Sequence, residues 1–156
     1  GLLSANNGDA LARVCAEMAH RGFVRWEWRT LYAAEVGAPH RRDRWFCVAT
    51  NTNGKGLERP REEYQLEPCV EEKETTWGRY DGAIRRWEAV LGRPAPTPAI
   101  DWKMNPAFIE WMMGFPEGWI TSSDISFNRT MKCLGNAVVP LQAAYAYADL
   151  FRRIND

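Results

Sequence analysis

The sequence predicts an α/β protein: one end of a sheet whose last two strands pair antiparallel, with flanking helices and a small irregular lobe. Three observations carry that expectation. A helical pattern in "NNGDALARVCAEMAHRGF" gives way to strict alternation in "VRWEWRTLYAAEVG" and then to a short apolar run, "RWFCVAT". From Asn51 the texture turns polar and rich in turn residues, without sustained periodicity. Helical patterning returns in "NPAFIEWMMGFPEGWI" and "KCLGNAVVPLQAAYAYADLFRRI". The implied organisation is 1–50 as a helix-strand-strand part, 51–103 as the lobe, and 104–156 as two helices packing back on the first part.

In the first helix Leu11, Val14, Cys15 and Met18 recur at helical spacing, Asn7 or Asp9 can cap it, and Gly22 is placed to end it. In the first strand Val24, Trp26, Trp28 and Thr30 face one way and Arg25, Glu27 and Arg29 the other, which reads as one wet face. Arg44–Thr50 is short and apolar enough to be buried on both sides. Within the lobe, "DGAIRRWEAVLG" reads as a short helix with Ile84, Trp87, Val90 and Leu91 on one face. "RPAPTPAIDW" reads as an extended linker. Pro106 suits a first helical turn, Phe108, Ile109, Met112 and Met113 form an apolar stripe, and Gly114 with Pro116 stops that helix. The last segment reads as a Gly-Asn turn leading into a helix that carries Val138, Val139, Leu141, Tyr145, Leu150 and Phe151.

Composition excludes several classes. The 156 residues are 46% apolar with eight tryptophans, enough for one modest domain with a real core. Twenty basic residues balance twenty acidic ones, so any basic patch is local. Cys15, Cys47, Cys69 and Cys133 form no C-x-x-C pair, which argues against a zinc site and for reduced thiols in a cytoplasmic protein. No apolar run approaches the ~20 residues that cross a bilayer. "GLLSANNGDA" has no signal-peptide pattern and no initiator Met, so a piece of a longer protein is expected.

The densest charge lies in "GAPHRRDRWFCVAT", where His40, Arg41, Arg42 and Arg44 crowd against the start of the second strand. Such a run is commonly a solvated face, paired here with Asp43 or Glu35. A guanidinium is also a permanent planar donor suited to a carbonyl or phosphate oxygen. Trp77, Tyr80, Trp87, Trp102 and Trp119 could stack on nucleic acid or form the core of a lobe that otherwise lacks apolar mass.

Three segments, in order, resemble the C-terminal half of a bacterial or phage-type DNA cytosine-5 methyltransferase. His40–Arg44 occupies the position of the family's Gln-x-Arg-x-Arg block (motif VIII), with His40 where Gln is commoner. "NPAFIEWMMGFPEGW" resembles motif IX, and "CLGNAVVPLQAA" resembles motif X. The polar stretch between them falls where the family keeps its target recognition domain. The resemblance implies a partial Rossmann-like methyltransferase sheet end with a recognition lobe. It implies that Arg44 contacts O2 of an extruded cytosine, Arg42 braces phosphate or carboxylate groups beside it, and Arg41 and His40 face the DNA backbone. Asn136, Ala137 and Val138 would line part of the S-adenosylmethionine pocket; a helix cap explains the same residues without a ligand.

The family's early motifs are absent from these residues. There is no Pro-Cys-Gln nucleophile turn, no Glu-Asn-Val and no Gly-rich donor-binding turn. The one Pro-Cys, Pro68-Cys69, is followed by Val70 inside the acidic "EPCVEEKE", where carboxylates disfavour a thiolate. The expectation is a truncated restriction-modification-type chain, inactive alone, with weak or no S-adenosylmethionine binding by itself. Its partners would be double-stranded DNA and either an N-terminal methyltransferase half or a second copy in a homodimer, since a two-strand sheet leaves an open edge. The alternatives are a non-catalytic DNA-binding or self-associating module derived from such an enzyme, and a decayed gene product. The DNA target is not encoded in any pattern that can be read here.

Overall fold

The computed structural model describes residues 5–51 and 77–155; the polar stretch 52–76, with Cys69, lies outside the described residues. Among the described residues the elements run α1 (Asp9–His20), β1 (Arg25–Tyr32), β2 (Asp43–Thr50), α2 (Asp81–Leu91), β3 (Ala99–Ile100), β4 (Lys103–Met104), α3 (Pro106–Met112), α4 (Phe127–Asn136) and α5 (Pro140–Asn155). Short 3-10 turns accompany them at Ala5–Gly8, Ala33–Val36 and Gly78–Tyr80. The architecture is mixed α/β, with β1 pairing β2 and β3 pairing β4. Val24 N–H donates to Thr50 O and Ala33 N–H to Arg41 O, so β1 and β2 run antiparallel as expected. No helix among the described residues is long and apolar enough to cross a membrane.

The described chain divides into two units. One comprises 5–31, 45–51 and 144–155, the other 32–44 and 77–143.

In the first unit, α1 ends as its sequence predicts. Gly22, at φ +80°, donates to Ala19 O while Phe23 N–H reaches Met18 O. That paired bond pattern satisfies carbonyls the helix would otherwise orphan and needs a left-handed residue at Gly22. The start differs: neither Asn7 nor Asp9 caps it. Gly8 holds the cap position at φ +96° with no side-chain bond, and Asp9 is the first helical residue, where its charge suits the helix dipole.

The alternation of β1 is present, but the covered face is the other one. Arg29 pairs with Asp149 at 3.0 Å, Glu27 pairs with Arg153 at 2.5 Å, and Arg25 donates to Arg153 O. The charged face therefore lies under α5, while Val24 and Trp28 stand 59% and 40% exposed. Period two fixes which side chains share a face; a helix with matching charges decided which face it covered. Strand β2 is not buried on both sides, since only Phe46 and Thr50 are fully enclosed. Phe46 meets Tyr147 edge to face at 5.7 Å, and Ala146, Leu150 and Ile154 form the buried stripe of α5.

In the second unit the core is aromatic. Ile84 and Trp87 are buried on α2, as the spacing predicts, and the Trp87 indole donates to Trp111 O at 3.0 Å. Trp77 stacks on Phe108 and Phe108 on Trp111, at 5.7 and 5.8 Å between centroids. Asn105 caps α3 by accepting from Ala107 N–H, with Pro106 at the first helical position. The stripe of α3 is shifted: its enclosed residues are Glu110 and Trp111, followed by Met113, whereas Phe108, Ile109 and Met112 are half-buried. Gly114 ends α3 at φ +75°, donating to Trp111 O while Phe115 donates to Glu110 O.

Two elements depart from the sequence reading. The Pro-rich linker leads into a small hairpin, with Ala99 opposite Met104 and Ile100 opposite Lys103. The Gly-Asn pair does not open a helix. Gly135 and Asn136 are the last residues of α4, Ala137–Val139 are extended, and α5 begins at Pro140. Proline at the first turn of α5 explains where the new helix can start.

Candidate functional site

The basic stretch lies in the second unit, between the Ala33–Val36 turn and β2. Gly37, at φ +91°, follows that turn, and a Cβ there would approach Val90 Cγ2 at 3.1 Å. Glu35 is turned back to accept from Tyr32 N–H at 2.7 Å. Ala33 N–H bonds the carbonyls of Arg41 and Arg42, which holds the start of β2 against the end of β1.

Each basic side chain has its own environment. Arg41 is exposed, with its guanidinium 4.8 Å above the centre of the Tyr32 ring. Arg42 turns inward and donates to the main-chain carbonyls of Gly135 and Ala137, both at 2.6 Å. Gln142, fully buried, returns a bond from Nε2 to Arg42 O at 2.9 Å. The basic stretch and the Gly-Asn segment are therefore clasped from both sides. The two motifs singled out from sequence form one structural element.

Burial, and then the neighbouring Arg44 charge, presses the Arg42 pKa below the ordinary arginine range. Its Nε is buried with no partner among the described residues. Among the described residues the Arg44 guanidinium makes one hydrogen bond, from Nη1 to Asp43 O at 2.9 Å, which leaves most of its donor fork uncommitted. None of these arginines forms an ion pair with Asp43 or Glu35 among the described residues. His40 Nε2 lies 3.1 Å from Met112 O; a carbonyl only accepts, so Nε2 carries the hydrogen. Burial lowers the His40 pKa, the Met112 bond opposes it, and the Arg42 and Arg44 charges add to the lowering, so the ring is neutral at pH 7.

Asn136 is exposed, while Ala137 and Val138 are half-buried. The Ala137 carbonyl is already held by Arg42. Of the large aromatics, Trp87 is core and Trp77 is half-buried in the stack on Phe108, whereas Tyr80, Trp102 and Trp119 are exposed.

Sequence reasoning passed over Glu110. It is 1% exposed, yet its carboxylate accepts from Ile120 N–H at 2.6 Å, Gly118 N–H at 2.9 Å, Thr121 N–H at 3.0 Å and the Thr121 hydroxyl at 2.8 Å. Burial alone would raise its pKa. The donors from Ile120, Thr121 and Gly118 outweigh it and hold the carboxyl below the ordinary glutamate range. Glu110 thereby fixes the chain that follows Gly114-Phe115-Pro116. The only sequence signal was one acid inside an apolar helix.

Among the described residues no cluster of His, Cys, Asp and Glu is arranged to hold a metal ion. Neither the curated proteins nor the solved structures contain a match to the chain. A family model described as C-5 cytosine-specific DNA methylase matches residues 1–83, which takes in the whole basic stretch and stops short of the Gly-Asn segment. With more than half of its length matched, the chain belongs to the C-5 cytosine-specific DNA methylase family.

Proposed function

We propose that the chain is the C-terminal, target-recognising part of a bacterial or phage-type DNA cytosine-5 methyltransferase, inactive alone and completed by a polypeptide carrying the early motifs. The observation that carries this reading is the clasp between Arg42, the Gly135 and Ala137 carbonyls, and Gln142. A basic loop and a Gly-Asn segment that merely decorated the surface would have no reason to be locked together. Held this way, Arg42 positions the loop and the uncommitted fork of Arg44 is free to donate to O2 of an extruded cytosine. Arg41 and His40 lie beside it, toward the DNA backbone.

On this reading 1–50 is the end of a Rossmann-like catalytic domain, 51–103 the recognition lobe and 104–156 the returning helices. S-adenosylmethionine supplies the methyl group when bound in a completed enzyme; Asn136, Ala137 and Val138 would form part of its wall. The 156 residues contain no Pro-Cys-Gln or Glu-Asn-Val, so attack on the cytosine ring must come from another segment. The test is co-expression with a polypeptide bearing those motifs, followed by transfer of a labelled methyl group from S-adenosylmethionine to duplex DNA. Incorporation only when both are present is expected; an inactive pair would end the proposal.

Self-association is a second reading, favoured by Val24 and Trp28, exposed on the face of β1 opposite α5. A homodimer in light scattering at micromolar concentration supports it, and a clean monomer removes it.

A further inference from the structure

The β3–β4 hairpin presents a feature that the clasp does not explain. Its connection is two residues long, Asp101 and Trp102, between the pairs Ile100–Lys103 and Ala99–Met104. Both residues have positive φ, +49° and +62°. That is the mirror-image turn whose twist matches antiparallel strands, and it favours Asn or Asp followed by Gly. Aspartate meets the preference and tryptophan does not. A bulky side chain held left-handed brings Cβ too close to the following carbonyl oxygen and is disfavoured. Trp102 is also fully exposed, at 102% of the reference accessibility, so no packing within the described fold offsets that cost. A residue that is both strained and without burial points to an external partner.

We propose that Trp102 is a wedge that enters duplex DNA through the major groove and stacks against an opened base step. The inference rests on the reading of this chain as the DNA-recognising part of a methyltransferase. Three features favour DNA over a protein surface. A two-stranded ribbon is of a size the major groove admits. Ile100 and Met104, both exposed, belong to successive cross-strand pairs and so stand on opposite faces of the ribbon. The hairpin therefore offers no single apolar face to a flat partner, only an apolar tip with an apolar flank on each side, which suits a slot between stacked bases. Asp101 and Lys103 flank the ring with opposite charges, so the affinity it adds comes from stacking rather than from phosphate pairing.

The experiment is fluorescence anisotropy with the full chain and two labelled probes at low salt: an intact duplex, and the same duplex with one abasic gap. The variants are Trp102→Gly, which keeps the left-handed turn and removes the ring, and Trp102→Phe, which keeps a ring. The expected results are tighter binding of the gapped duplex by the wild-type chain and a loss of at least about tenfold in Trp102→Gly. Trp102→Phe should recover most of that loss. The slope of log affinity against log salt should match in all three, since no phosphate contact is removed. If the chain binds duplex DNA but Trp102→Gly binds as tightly as wild type, the wedge is wrong and the DNA reading stands. If the wild-type chain binds neither probe, the wedge is overturned, and the co-expression experiment alone decides the methyltransferase reading. If Trp102→Gly instead converts a dimer to a monomer in light scattering, the ring serves self-association and the wedge is likewise overturned.

Discussion

Replacing Glu110 with glutamine changes one atom and should still be among the costliest conservative changes in the chain. Oε1 receives the Ile120 and Thr121 N–H groups, and Oε2 receives Gly118 N–H and the Thr121 hydroxyl. In Glu110→Gln one oxygen becomes an NH2. The hydroxyl can rotate and accept, but the Gly118 N–H is left facing another donor. The bonds to the remaining oxygen lose their charge assistance, about 1 kcal/mol each, and the orphaned donor adds about 1–3. The total is about 3–5 kcal/mol, or roughly 6–20 °C in melting temperature for a chain of this size. The pH dependence gives an independent check. A carboxyl whose native pKa lies below its unfolded value stabilises the fold above the unfolded value, near 4.3, and that contribution is lost as pH falls through the lower native value. The gap between wild type and Glu110→Gln in thermal melts should therefore be widest near neutrality and shrink in acid. A shift under about 2 °C at pH 7, or a gap independent of pH, would refute the assignment of Glu110 as an ionised anchor.

Four further outcomes are expected. Gly114→Ala adds a Cβ 2.9 Å from Trp87 Cζ2 at a position with φ +75°, so urea unfolding should show a loss of about 2–3 kcal/mol. Gly92→Ala, at φ +64° with open space around it, should lose only about 1 kcal/mol. Arg42 reaches both carbonyls from one nitrogen, Nη2; Arg42→Lys keeps the charge but ends its side chain one bond short of that nitrogen, so amide exchange at Ala137, whose N–H bonds Cys133 O, should accelerate. Arg44→Met should leave the melting temperature unchanged or slightly raised, because it removes a like charge from beside Arg42, yet abolish methyl transfer by the completed enzyme.

Local rules were legible where the partner groups lie close in sequence. Gly22 and Gly114 close their helices through bonds between residues three and five apart, and both could be read from the text. Strand β1 and helix α2 followed from period, and β2 from its short apolar run. What failed depended on distant partners. The charged face of β1 looked solvated because its partners Asp149 and Arg153 are 120 and 126 residues away. Glu110 went unread because three of its four donors are backbone groups, which no residue type announces. Helix α4 did carry a signal, with Phe127, Thr130, Met131 and Leu134 at helical spacing, but Gly135-Asn136 read more readily as a start than an end. The β3–β4 turn lacked the Asn-Gly or Asp-Gly pair that would have revealed it.

The basic stretch shows how the structure sharpens a choice the sequence left open. Loop charges that serve solubility alone are expected to find a carboxylate or solvate fully, and two acids, Glu35 and Asp43, were available in sequence. Glu35 is instead committed to Tyr32 N–H, and the described residues show no ion pair between Asp43 and the arginines. Arg42 and Arg44 are close enough for Arg44 to depress the Arg42 pKa, and among the described residues the two guanidinium groups bond to carbonyl oxygens rather than carboxylates. Carbonyls hold a guanidinium in place without cancelling its charge. The result is a rigid positive field with one donor fork anchored and the other uncommitted, an arrangement that repels itself until an electron-rich group arrives. Stability alone gives no account of that arrangement; on the proposed function the uncommitted fork is kept for a base oxygen or phosphate.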